Sequence, residues 1–304
     1  MMLGGLAVGL FVSFLIVFFV SYSGTEGNHK VVSSGKLKGS TSTLEGVKFE
    51  KIPNEEEHLP PPKSLAIPET VGSNDETAML SGIEEIRAIK KSGRVIEKDS
   101  EAQTKIPKVQ ELIRTYVTSK YGPGPHMIEM DITLPNYLTA PKGGQKATLL
   151  IEMAPIEYLP YTVYFFLENI VNGFKKGNFH RNAGHVLQAM LSRKEGLKHT
   201  NFAWQEYSPK FAHKKYTMGF AGRPSGSSAI YVSTLDNSFN HGPGSQGSKT
   251  EADVCWGKLA DQASIDVVEV MKKQKGGSKG SGFINDNSHF IAIDDIRLVS
   301  STKA

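Results

Sequence analysis

The sequence contains very little cysteine and no strong excess of one charge. Cys255 is the only cysteine among 304 residues, so neither an intrachain disulfide nor a thiolate-rich metal site can form. Between Val254 and Trp256, it is predicted to be a small core residue. The net charge of +4 is spread along the chain, which gives no support to nucleic-acid binding. No Asn-X-Ser/Thr glycosylation site is present, which leaves lumenal exposure open.

An uncharged apolar run, Leu3 to Tyr22, has the length of a membrane-spanning helix. It is longer than the apolar part of most signal peptides and lacks a basic flank, so we predict an uncleaved signal-anchor over residues 1–23. A cleaved signal peptide is the alternative. Lys30, Lys36 and Lys38 favour a cytoplasmic position for the side that follows. Because N-terminal anchors also carry domains into the lumen, the orientation stays open. We expect a single-pass protein of the endomembrane system, in the Golgi or the ER.

Composition divides the rest of the chain into three parts. Residues 24–105 are polar and interrupted by glycine, serine and proline, which predicts a flexible, low-complexity stalk. Only Ile83 to Ile96 shows some helical spacing there. Residues 106–125 are predicted to form a helix, with Pro107 at its start, and a following turn. Residues 126–300 have the size of one globular domain.

Short alternating segments fill the predicted domain. The strand-like segments are 127–134, 147–153, 179–181, 186–190, 216–221, 229–233, 254–259 and 289–299. Helices are predicted at 160–174 and 262–272. Many short strands with two helices indicate a mainly β fold, a closed eight-stranded β-barrel capped by two helices.

The stretch from Phe179 to Gln188 carries the most functional information. It follows Lys175-Lys176-Gly177, which we predict to be a turn. If Arg181 and Gln188 point into one groove, they can bind a peptide backbone. The Phe-His-Arg…Gln pattern resembles the signature of the cyclophilins, the peptidyl-prolyl cis-trans isomerases. Similar landmarks follow in the cyclophilin order at Met218–Gly222, Gly226–Ile230, Val254–Leu259 and Val267–Met271.

The resemblance implies a non-covalent reaction. The peptide bond before proline isomerises slowly because amide resonance must be broken, a barrier of about 18–20 kcal/mol. A guanidinium directed at that amide favours the twisted state over either planar one, which is differential binding of a transition state. By this resemblance Arg181 and Gln188 are the catalytic residues, and a proline-containing polypeptide is the partner. No metal and no cofactor are implied.

The resemblance also implies a set of substrate-binding residues: Phe179, His185, Val186, Ala221, Ser228, Ile230 and Phe239. Several depart from the family pattern. His185 stands where the family has a pocket phenylalanine, and Val186 where it has methionine. The interval between Arg181 and Gln188 is one residue shorter than usual.

Further departures lie later in the chain. Ser228 replaces a glutamine that binds the substrate backbone, and Ile230 replaces a pocket phenylalanine. Asp253 stands at the position of a family histidine, and Phe239 is the candidate for the family tryptophan. We therefore expect weak isomerase activity; the alternative is a non-catalytic cyclophilin-like binding module anchored to a membrane.

Three other motifs give weaker functional information. His180 and His185 have no third ligand at a supporting spacing, so no zinc site is predicted. The lysine-rich segment 272–280 is predicted to be a solvated loop, since it lacks the P-loop pattern. Asp294-Asp295 in a stalked protein raises a third option, a lumenal transferase on an unrelated fold, which the strand context of this pair disfavours.

Overall fold

The computed structural model of the protein describes residues 73–195, 201–223, 226, 228–248, 251–276 and 281–299. The predicted anchor over residues 1–23 and the predicted stalk up to residue 72 lie outside this part of the chain. Among the described residues, no helix combines the length and apolarity that crossing a membrane requires.

Two helices occupy residues that the sequence analysis assigned to the stalk. Helix α1 spans Ser73–Lys91 and helix α2 spans Ser100–Tyr121. Ile83 and Ile86 of α1 are buried in the same core cluster as Ile113 of α2. The stalk prediction is therefore wrong for residues 73–105, because isoleucines at three-residue spacing give α1 an apolar face that the rest of the protein covers.

Helix α2 starts earlier than predicted. Asp99 is its N-cap, and its side chain accepts a hydrogen bond from the backbone N–H of Ala102 at 2.9 Å. Pro107 consequently lies inside the helix rather than at its first turn. The capping carboxylate satisfies a backbone donor that has no partner within the helix, and this decides where the helix begins.

Eight antiparallel strands form a closed barrel, which confirms the predicted mainly β architecture. The strands lie in the order β1-β2-β7-β5-β6-β4-β3-β8 around the barrel. Their bounds are β1 Met127–Thr133, β2 Lys146–Met153, β3 Phe174–Asn182, β4 Val186–Arg193, β5 Thr217–Phe220, β6 Ala229–Ser233, β7 Cys255–Leu259 and β8 Ile291–Val299. Closure leaves no unpaired sheet edge.

The part of the chain that the structure describes contains three further α-helices and short 3-10 turns at Ile96–Lys98, Pro209–Phe211 and Asn287–His289. Helix α3 spans Pro160–Phe165 and continues as a π-helical turn, Phe166–Val171. Helices α4 and α5 span Ser238–His241 and Gln262–Met271, and α4 was not predicted. Since β3 begins at Phe174, the predicted turn at Lys175-Lys176-Gly177 is instead part of that strand.

The two longer of these helical segments are tied to the barrel by different contacts. The hydroxyl of Ser264, in the first turn of α5, accepts a hydrogen bond from the backbone N–H of Leu150 on β2 at 2.8 Å. Phe166 stacks on Trp256 of β7, with ring centroids 3.9 Å apart. Cys255 and Trp256 are both buried, as predicted, and burial raises the pKa of the Cys255 thiol to about 12.

We predict that Trp256→Ala lowers the free energy of unfolding by about 3–5 kcal/mol, because it removes a fully buried ring and leaves a cavity. Chemical denaturation followed by circular dichroism measures this loss. The matched control is Phe239→Ala, since that ring is 90% exposed and its removal should change stability by less than about 0.5 kcal/mol. Equal unfolding midpoints for the Trp256 variant and the wild type would contradict the burial of this ring in the core.

Candidate functional site

A cavity of about 730 Å³ lies against the outer face of strands β4 and β6. Along β4, Leu187 and Ala189 are fully buried in the barrel core, whereas Val186 and Gln188 line the cavity. Alternate residues of a strand point to opposite faces, so one strand serves both the core and the cavity. The opposite wall comes from the segment that contains α4, residues 239–246. This volume is in the range of ligand pockets.

A β-bulge places Arg181 beside Gln188. Phe179 pairs with Ala189, and the next pair along the ladder is Arg181 with Gln188, so His180 is an extra residue on β3. A bulge of this kind changes the face to which the following side chains point. As a result, the Arg181 guanidinium donates from Nη1 to Gln188 Oε1 at 2.7 Å.

The Arg181 side chain is held from a second direction by residues 281–283. Its Nε donates to the backbone oxygen of Ser281 at 2.7 Å, and its guanidinium carbon lies 5.1 Å from the centre of the Phe283 ring. Among the described residues, Nη2 has no hydrogen-bond partner. The arginine thus has a fixed orientation and keeps donor capacity for a ligand.

The cavity brings together six of the nine residues predicted from the sequence: Arg181, His185, Val186, Gln188, Ala221 and Phe239. Phe179 and Ile230 are fully buried in the core cluster instead. Ser228 does not line the cavity, and its hydroxyl contacts the sulfur of Met190 at 3.4 Å. Tyr231 lines the cavity in place of Ile230, because adjacent residues of β6 point to opposite faces.

Asp253, just before β7, is a buried carboxylate at the base of the cavity. It is 3% exposed and forms an ion pair with Arg223, whose Nε lies 2.9 Å from Oδ1. His241 Nδ1 donates to Oδ2. Burial alone would raise the pKa of Asp253, but the hydrogen bonds from His241 and Arg223 outweigh burial and hold that pKa below its ordinary value.

Arg223 also fixes the backbone of the α4 segment. Its Nη1 donates to the carbonyl oxygens of Ser245 and Glu251 at 3.2 and 3.0 Å, and Nη2 donates to the carbonyl of His241 at 3.3 Å. The guanidinium is buried, and its hydrogen-bond partners among the described residues are Asp253, Glu251 and the wall residues His241 and Ser245. The far wall of the cavity therefore depends on a charge pair in the protein interior.

Sequence reasoning identified neither Arg223 nor His241. Asp253 was noted only because it stands at the position of a family histidine, and its partners lie 30 and 12 residues away along the chain. No local pattern connects residues at those separations. Phe283 was missed for the same reason, because it forms a β-bridge with Arg181 although the two residues are far apart in the sequence.

His213 connects Asp253 to Tyr231. Its Nε2–H donates to the backbone oxygen of Asp253 at 2.9 Å, so its Nδ1 accepts from the Tyr231 hydroxyl at 3.2 Å. Burial lowers the pKa of His213 to about 4, and burial also raises that of Tyr231 well above its ordinary value. Both side chains are neutral at neutral pH.

His185 lies at the mouth of the cavity and is half-buried. Its Nδ1 is 3.1 Å from the carbonyl oxygen of Ala183, which can only accept a hydrogen bond, so Nδ1 carries the proton. Burial lowers the pKa of His185, which keeps the ring neutral at neutral pH. The lone pair of the ring is therefore on Nε2. The centres of the His185 and His241 rings are 5.9 Å apart.

Comparison with known proteins gives no family for this chain. No protein-family model matches it, and no curated protein matches it significantly in sequence. Within the described residues, no group of three or more histidine, cysteine or acidic side chains is arranged to hold a metal ion. The chemistry of the cavity therefore has to be inferred from its own side chains.

We predict that stability falls as the pH is lowered from about 6.5 to 4, in part because of His213. An unfolded histidine has a pKa of about 6.5, so the unfolded chain binds a proton in this range that the folded protein, with a His213 pKa of about 4, does not. The loss from this residue is on the order of 3 kcal/mol between pH 7 and pH 4.

Urea denaturation at a series of pH values measures this dependence. In His213→Gln the residue cannot titrate, so the stability difference between pH 7 and pH 4 should shrink by that amount. An unchanged pH dependence in this variant would exclude His213 as its source.

Proposed function

We propose that this protein is a cyclophilin-like polypeptide-binding protein with weak peptidyl-prolyl cis-trans isomerase activity. One observation supports the proposal most. The Arg181 guanidinium and the Gln188 amide stand side by side on the outer face of an eight-stranded barrel, 2.7 Å apart, at the wall of a cavity of about 730 Å³. Among the described residues, Arg181 Nη2 and the Gln188 amide nitrogen have no partner, and these donors suit the carbonyl oxygens of an extended polypeptide segment.

Arg181 would supply the isomerase chemistry. Three contacts hold its side chain, so its free Nη2 needs little reorganisation to interact with the amide that precedes proline. A cation that interacts better with the pyramidal nitrogen of the twisted amide than with the planar amide lowers the barrier to rotation. Neither a nucleophile nor a proton transfer is required.

The cavity lining explains why we expect the activity to be weak. Val186 and Ala221 are small apolar groups, and Phe239 is 90% exposed, so little buried apolar surface is available to hold a proline ring. His185 adds a polar edge where an apolar ring would favour proline.

The same polar lining favours a second candidate function, a non-catalytic binding module. If the cavity holds a peptide equally well in its planar and twisted states, binding energy lowers KM without accelerating rotation. Arg181 and Gln188 would then act only as backbone contacts. The two candidates differ in catalysis and agree on peptide binding.

The test is isomerisation of an Ala-Pro peptide, followed by exchange NMR with full-length protein. We predict that Arg181→Ala lowers the catalysed rate by about 10²–10³-fold, as for the loss of one preorganised donor at a reacting carbonyl. The matched control is Arg114→Ala, which removes an arginine of α2 whose partners are Glu111 and the backbone of Glu157, away from the cavity lining.

Equal rates for wild type and Arg181→Ala would refute the isomerase proposal. Peptide binding that depends on Arg181 without any catalysis would leave the binding module as the function. Absence of binding would refute both candidates.

Attachment to an endomembrane by residues 1–23 is a separate proposal, supported by the uncharged run from Leu3 to Tyr22. Arginine at positions 14 and 17 should cost about 2.5–3.5 kcal/mol per residue in membrane insertion. The double variant Phe14→Arg with Val17→Arg should therefore move to the soluble fraction on alkaline extraction. The control, Phe14→Leu with Val17→Leu, should stay in the pellet. Wild-type protein found soluble and beginning near Thr25 would show a cleaved signal peptide.

A further inference from the structure

The cavity contains hydrogen-bonding groups that its own residues leave unused. Gln188 Oε1 is occupied by Arg181, so the Gln188 amide nitrogen stays available as a donor. His185 is the converse case: its Nδ1 is bound to the Ala183 carbonyl, and Nε2 is an acceptor. Within the part of the chain that the structure describes, neither the Gln188 amide nitrogen nor His185 Nε2 has a partner.

Most polar groups deeper in the cavity are already engaged. The exception among the described lining residues is His241 Nε2, which has no partner and is enclosed by protein atoms. The Tyr231 hydroxyl lies 3.2 Å from His213 Nδ1, and the Asp253 carboxylate is held by Arg223 and His241. A ligand side chain that enters between them therefore meets mostly satisfied groups. Asn240 and Gln246 also line the cavity, but both are exposed to solvent. Among the described lining residues, His185 Nε2 is a half-buried acceptor without a partner.

An apolar ligand side chain would bind less favourably next to His185 Nε2. A proline ring or an aliphatic group covers His185 Nε2 without offering a donor, and a polar atom that loses water without a replacement costs about 1–3 kcal/mol. A hydroxyl or carboxamide group replaces the lost water. Because His185 is half-buried, we expect a discrimination near the lower end of this range.

We propose that the cavity accepts a hydrogen-bond-donating side chain, a hydroxyl or a carboxamide, with His185 Nε2 as its acceptor. Arg181 and Gln188 hold the neighbouring backbone carbonyl of the same ligand. The ligand class is thus a polypeptide segment with Ser, Thr, Asn or Gln at the position that enters the cavity. The inference rests on the peptide-binding part of the proposed function and adds the side chain that is selected.

The test compares two nearly isosteric peptides, acetyl-Ala-Ala-Thr-Ala-amide and acetyl-Ala-Ala-Val-Ala-amide, with the proline peptide of the same frame as a third ligand. Dissociation constants are measured by isothermal titration calorimetry at pH 7.5 with full-length protein. Wild type should bind the threonine peptide about tenfold more tightly than the valine or proline peptide, the value of one net hydrogen bond.

Two substitutions of His185 separate the acceptor from the shape of the site. In His185→Gln the side-chain oxygen can still accept, so the preference for threonine should persist. In His185→Phe no acceptor remains, so the preference should disappear and proline-peptide affinity should rise. Thermal unfolding of each variant checks that the fold is retained.

The outcomes distinguish this inference from the function on which it rests. Equal affinity of wild type for all three peptides, with every affinity lost in Arg181→Ala, would overturn the side-chain inference and leave peptide binding standing. A threonine preference that survives in His185→Phe would also overturn it. No binding of any peptide would overturn both.

Discussion

The registration of strand β4 against β3 is the constraint on which the cavity depends. Leu187 and Ala189 are fixed in the barrel core, and this forces Gln188 outward. The bulge at His180 then brings Arg181 to Gln188. A slip of one residue would exchange the faces of the strand and bury these polar side chains. The apolar core of the barrel therefore specifies the position of the polar pair.

The opposite wall depends on electrostatics rather than on strand pairing. The segment between β6 and β7, which contains α4, lies outside the sheet, and the buried Arg223–Asp253 pair restrains it. Removing one partner of a buried ion pair is costly because the other charge is left without compensation. The pair thus holds the α4 segment in place as a wall of the cavity.

The sequence predicted the barrel well because strand alternation and turn residues are local signals. All eight strands were located, although the first half of β3 was predicted to be a turn. Residues 73–105 were assigned to the stalk because their polar composition outweighed the helical spacing of the isoleucines, which are buried in the structure. In the candidate site, Arg181 and Gln188 were identified by the resemblance to the Phe-His-Arg…Gln signature, although the interval between them is one residue shorter than in that family. Ile230 was placed in the cavity instead of Tyr231, since a motif match that is one residue out selects the opposite face of a strand. Arg223, His241 and Phe283 join the site only through long-range contacts, which periodicity does not reveal.

Which of the two proposed functions is favoured depends on whether the cavity binds mainly the backbone amide of the ligand or mainly one of its side chains. In the proposed complex Arg181 and Gln188 would contact a backbone amide, whose geometry changes during rotation, so these contacts would favour the twisted state. A hydrogen bond from a ligand side chain to His185 does not change as the amide rotates, since the side chain stays in place. Such a bond stabilises ground state and transition state equally, and therefore raises affinity without raising kcat. Replacing an apolar contact to a proline ring by a hydrogen bond to His185 would therefore favour selective binding over catalytic turnover. The barrel that supports the cavity would not need to change.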